Sequence, residues 1–115
     1  MKIDLCDIAI YLNYADNSLI HNCEFDSNSI GLYAYSCHNN EFSDLTITDN
    51  PNNGLQLSIS GSSGTNWIHD SIITGNGGGA TETAGVFLWG TGSNNNIIEN
   101  NLIDDNYNEI SCRGG

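Results

Sequence analysis

The sequence predicts an all-β chain folded as a solenoid, a parallel β-helix of about four to five coils without helical caps. Three observations predict it. A segment of about eleven residues closing on asparagine recurs four times; a shorter stretch after each recurrence alternates with period two; asparagine, glycine and serine interrupt every apolar run. Helices do not fit: the apolar runs are too short, and the helix formers Ala, Lys and Arg are scarce.

The recurring segments are "SLIHNCEFDSN", "NEFSDLTITDN", "NWIHDSIITGN" and "NNIIENNLIDDN", closing at Asn28, Asn50, Asn76 and Asn106 with spacings of 22, 26 and 30 residues. Their alignment puts Ile20, Phe42, Ile68 and Ile98 in one column and Phe25, Ile47, Ile73 and Ile103 in another. After each closing Asn comes a second strand: "GLYAY" from Gly31, "GLQLS" from Gly54, "GVFLW" from Gly85 and "EISC" from Glu109, with "AIYLN" from Ala9 as an earlier copy. Parity makes Ile10, Leu32, Leu55, Val86 and Ile110 one inward column, and Leu12, Ala34, Leu57, Leu88 and Cys112 the next. The chain is expected to enter its first coil by about Ile8.

One such unit cannot bury its own apolar face, whereas stacked units bury a continuous core. With coils about 4.8 Å apart, every column becomes a ladder of touching side chains. Asn28, Asn50, Asn76 and Asn106 are then a structural ladder, since Asn suits left-handed corners and stacked amides pass hydrogen bonds along a row. The whole chain, residues 1–115, reads as one domain.

The pattern "NNIIENNLIDDN…GVFLW" resembles the right-handed parallel β-helix repeats of the pectin-lyase-like superfamily, from about Ile8 to Cys112. That resemblance implies the fold. It leaves the activity open, because its families include polysaccharide lyases, hydrolases, epimerases and surface proteins. Lyases of this kind hold uronates through calcium and set Arg or Lys beside the abstracted proton, yet no basic residue lies between Lys2 and Arg113. Hydrolases use aspartates with histidine. Asp44 and Asp70 share a column with Asn22 and Asn100, and Asp104 and Asp105 form the last corner, but all of these also suit solvated corners. No catalytic residue is assigned; an enzyme of the polysaccharide lyase, hydrolase or epimerase kind ranks third among the readings.

Fourteen acids against two bases give a net charge of −12, so phosphate neutralisation fails and a nucleic-acid partner is excluded. No apolar run approaches the roughly 20 residues of a membrane span, so membrane insertion is not expected. The opening "MKIDLCDIAI" lacks the apolar core of a secretory leader, and because the repeat is already running there, the expectation is a segment or close kin of a longer exported protein, extracellular or at the cell surface. The four cysteines, Cys6, Cys23, Cys37 and Cys112, show neither CxxC nor zinc spacing; three pairings are open, and buried or half-buried free thiols are expected.

His21, Ser43, His69 and Glu99 form a column whose histidines stand two coils apart, too far to share a metal. Acidic turns offer the oxygens that Ca²⁺ takes, but the glycine-aspartate nonapeptide of calcium-binding rolls is missing, so neither cofactor nor metal is assigned. "TGNGGGATETAG" lacks the Gly-Lys-Ser/Thr of a phosphate loop and reads as an insertion that protrudes and walls a groove.

The outward positions of the second strand carry the functional expectation. Tyr11, Tyr33, Gln56 and Phe87 share one outward column; Asn13, Tyr35, Ser58 and Trp89 share the next. Aromatic rings in rows on one flat face suit stacking against sugars, so Tyr11, Tyr33, Tyr35, Gln56, Phe87 and Trp89 are the expected carbohydrate-binding residues. The alternative is a solenoid that stacks end to end on other copies of itself and takes no small ligand.

Overall fold

The computed structural model describes residues 1–59, 65–79, 82–92 and 95–114. Fourteen short strands build three parallel sheets that wind together as a solenoid of about four turns, with no helix among the described residues. Sheet I stacks β1 (Lys2–Asp4), β4 (Glu24–Asp26), β7 (Thr46–Thr48), β10 (Ile72–Thr74) and β13 (Leu102–Asp104). Sheet II stacks β2 (Ile8–Asn13), β5 (Ile30–Tyr35), β8 (Asn53–Ser58), β11 (Val86–Trp89) and β14 (Ile110–Arg113). Sheet III stacks β3 (Leu19–His21), β6 (Glu41–Ser43), β9 (Trp67–His69) and β12 (Ile97–Glu99). Each coil therefore visits sheets I, II and III in turn.

The register reproduces the sequence columns. Phe25 pairs with Ile47, Ile47 with Ile73 and Ile73 with Ile103; Ile20, Phe42, Ile68 and Ile98 line up in sheet III. In sheet II, Leu32, Leu55 and Val86 align, as do Ala34, Leu57 and Leu88. These side chains are the core, and most of them are wholly sequestered from solvent. Burying each Ile or Leu is worth about 1.5–3 kcal/mol. The first coil starts earlier than expected: Ile3 on β1 already pairs with Phe25.

The Asn ladder is present. The Asn50 amide donates to Asn76 Oδ1 at 2.8 Å, and the Asn76 amide donates to Asn106 Oδ1 at 2.9 Å. The backbone N–H groups of Cys6, Asn28, Asn50 and Asn76 each donate to the next amide oxygen along the row, so Cys6 occupies the first rung. The left-handed backbone lies one residue earlier than the sequence suggested. Leu5, Ser27, Asp49, Gly75 and Asp105 have positive φ, and the ladder asparagines do not. Each sheet I to sheet II corner is thus a left-handed residue that turns the chain, followed by an inward Asn that satisfies the backbone groups exposed by the turn.

A second ladder went unread in the sequence. Asn40 donates through its amide to Asn66 Oδ1, and Asn66 to Asn96 Oδ1, each at 3.0 Å, at the corner entering sheet III. Ser18 begins that row by donating its backbone N–H to Asn40 Oδ1. A third corner, from sheet III to sheet I, turns on Asn22, Asp44, Asp70 and Asn100, all with φ between 51 and 54°. Asp44 and Asp70 therefore hold left-handed corners. All four cysteines are free thiols; Cys37 is buried and Cys23 partly so, whereas Cys6 and Cys112 are exposed, contrary to expectation. Cys112 sits on an inward column beside Leu88, in the last described coil.

Candidate functional site

Sheet II has the longest strands, six residues in β2, β5 and β8, so it offers the broadest outer face. Period two sends Leu55 and Leu57 inward and leaves Gln56 outward. In register across the coils, Tyr11 pairs with Tyr33, Tyr33 with Gln56, and Gln56 with Phe87. The neighbouring row runs Asn13, Tyr35, Ser58, Trp89 and Arg113. All six expected residues thus share one face.

Their exposure differs. Trp89 is 53% and Tyr11 52% exposed, while Tyr33, Tyr35 and Gln56 are intermediate. Phe87 is only 6% exposed, which corrects its assignment as an open stacking surface. It helps line a hollow of about 260 Å³ with Asn53, Gln56, Glu82, Trp89 and Arg113. Glu82 arrives from the glycine-rich insertion and pairs with Arg113 at 3.1 Å, so the insertion does wall a groove. Residues 80 and 81 of that insertion lie outside the described residues. Column reasoning does not see the insertion, whose Glu82 lines the same hollow as Phe87.

Beyond Trp89 lies a second hollow of about 170 Å³, lined by Tyr35, Ser58, Ile59, Trp89 and Gly90. Tyr35 and Trp89 stand one coil to either side of the small Ser58, and the slot opens between them. At the far end the Tyr11 and Tyr33 rings pack 5.1 Å apart. Tyr14 meets Tyr35 edge-on at 5.6 Å and extends the strip. Strand parity missed Tyr14 because it lies past the end of β2, at a left-handed corner with φ of 53°. Partial desolvation, then the neighbouring Tyr33 and Tyr35, pushes the Tyr11 phenol above its usual range, so it stays a neutral donor.

Polar groups on this face are oriented in advance. The Asn53 amide donates to Gln56 Oε1 at 2.9 Å, and the Gln56 amide donates to Ser58 Oγ at 3.2 Å. Asn53 Oδ1 in turn accepts from the Ala84 backbone at 2.8 Å, tying the insertion to β8. Arg113, read from the sequence as remote from the middle of the chain, pairs in register with Trp89 and brings a guanidinium to the groove. Lys2 stays on sheet I, bound to Asp26 at 2.9 Å and Glu24 at 3.0 Å.

Coil after coil of three parallel sheets, with turns that repeat in register, is an architecture with a family. The chain matches the family described as "Right handed beta helix region" over residues 2–103. It belongs to that family. No curated protein and no solved structure matches the chain. In this right-handed β-helix the inward columns form the core, and the side chains between them face outward. Among the described residues, no group of three or more His, Cys, Asp and Glu is arranged to hold a metal ion.

Proposed function

We propose that this chain is a carbohydrate-associated β-helix module, working outside the cell or at its surface, that binds a neutral or weakly charged glycan along the outer face of sheet II. The slot between Tyr35 and Trp89 carries the proposal. It joins a polar hollow through the shared Trp89, so apolar ring faces and fixed hydrogen-bonding groups lie side by side. Sugars present the same alternation: C–H faces that stack on aromatics, and hydroxyls that need partners. Affinity electrophoresis through gels containing neutral polysaccharides tests it. Retardation that disappears in Trp89→Ala supports the reading, and identical mobility of both proteins in every gel overturns it.

A second reading has its own observation. The coil face made by β12, β13 and β14 has no paired neighbour among the described residues, and Ile110 there is 46% exposed although its column is inward. Unpaired strand edges and apolar column ends invite another coil. End-to-end stacking of copies on this face is compatible with glycan binding on sheet II.

A further inference from the structure

Sheet III carries a feature that the glycan reading does not use. Its outer face has a hollow of about 320 Å³ lined by Asn39, Asn40, Glu41, Thr65, Trp67 and Ile97. The Trp67 indole is held in place before any ligand arrives. One face stacks on the His69 ring, 3.8 Å between centroids at an interplanar angle of 26°. Its Nε1–H donates to Glu99 Oε1 at 2.8 Å. His69 is fixed in turn, with Nδ1 2.7 Å from Asp70 Oδ2 and Nε2 3.1 Å from Glu41 Oε1. Three successive coils therefore lock one ring, which is still 38% exposed.

The charge around the ring is net negative, three carboxylates against the one imidazole of His69, which pairs with Glu41 and Asp70. Glu41, Asp70 and Glu99 are acidic, and the described fixed cations are engaged elsewhere, Lys2 on sheet I and Arg113 on sheet II. An electron-rich indole beside a carboxylate attracts an organic cation by cation–π and ion-pair terms. Polar side chains on the rim, from Asn39 and Thr65, suit a ligand that also carries hydroxyls. The volume sits at the small end of the roughly 300–1,000 Å³ of ligand sites, room for one ring.

We propose that the Trp67–Glu41 hollow is a second binding site, specific for a sugar residue bearing a free amine, with the ammonium on Glu41 and the ring against Trp67. It is independent of the sheet II groove and differs from it in demanding positive charge. The test uses the full chain carrying Trp89→Phe, which leaves Trp67 as the sole reporter, since the chain has two tryptophans. Glucosamine should change Trp67 fluorescence saturably, and N-acetylglucosamine, the same ring without the charge, should not. Glu41→Gln, checked for folding by circular dichroism, should weaken glucosamine binding about tenfold or more. Equal responses to the two sugars, no response to glucosamine, or unchanged affinity in Glu41→Gln overturns the site. A stronger response to a lysine amide than to glucosamine overturns the sugar assignment.

Discussion

Asn76 holds together more backbone than any single apolar residue could. Its amide donates to Ile47 O and Thr74 O at 3.0 Å each and to Asn106 Oδ1, while its own Oδ1 accepts from the Asn50 backbone and side chain. Truncation leaves several buried groups unsatisfied at about 1–3 kcal/mol each. Asn76→Ala should therefore cost several kcal/mol in urea unfolding, and clearly more than Asn106→Ala, whose rung is only partly buried. Equal losses would mean that the row is not cooperative. His69 gives a pH prediction. Its hydrogen bond to Asp70, the largest effect, outweighs the opposing effect of burial and, with the hydrogen bond to Glu41, raises its pKa above 6.5. A raised folded-state pKa contributes stability that is full below about 6.5 and fades as pH rises through the folded value. The melting-temperature gap between wild type and His69→Gln should shrink from acid toward mildly alkaline pH. A constant gap would show that the charge plays no part.

At the scale of the strand, stability depends on columns. Ile73 lies between Ile47 and Ile103 in register and is fully buried, so Ile73→Asp should cost several kcal/mol. Asp105→Asn keeps a residue type that accepts its φ of 59°, on the surface, and should stay within about 0.5 kcal/mol. Gly54 marks another constraint. A Cβ there would come within 2.6 Å of Gly85 O and 3.0 Å of the Asn76 amide, so Gly54→Ala pushes the strand off the ladder. Chemical denaturation of these three variants checks the order: Ile73→Asp and Gly54→Ala well below wild type, Asp105→Asn beside it.

Strand parity made these columns legible, because a buried position in one coil must match its copies above and below. Corners were only half legible. Asparagine at Asn28 or Asn50 shows up as a repeated letter, but the left-handed residue before it varies among Leu5, Ser27, Asp49, Gly75 and Asp105. The turn asks only for a tolerated φ, so no letter repeats. The second ladder did have a signal, since Asn40, Asn66 and Asn96 open the same segments that the first ladder closes. On the outer face of sheet II the row of aromatics was readable, but the burial of Phe87 and the arrival of Glu82 were not. Glu82 comes from an insertion that belongs to no column, whereas Arg113 follows Cys112 in the Trp89 row and was open to the same parity argument.

The whole molecule carries a net charge of −12 on a body about 32 × 30 × 26 Å across. That repulsion opposes the proposed stacking of copies and is screened by salt, with a Debye length of about 10 Å at 0.1 M. Sedimentation velocity should show association that grows with ionic strength; a monomer at every salt concentration would contradict end-to-end stacking. The central claim is that coils are scaffold and that the outer face of sheet II meets the ligand. The most direct measurement is a backbone and side-chain NMR map of the chain titrated with the neutral oligosaccharide that best retards it. The account predicts shifts concentrated at Tyr33, Tyr35, Gln56 and Trp89, with the Asn ladder unmoved. Shifts confined to sheet I, or spread evenly along the coils, would contradict it.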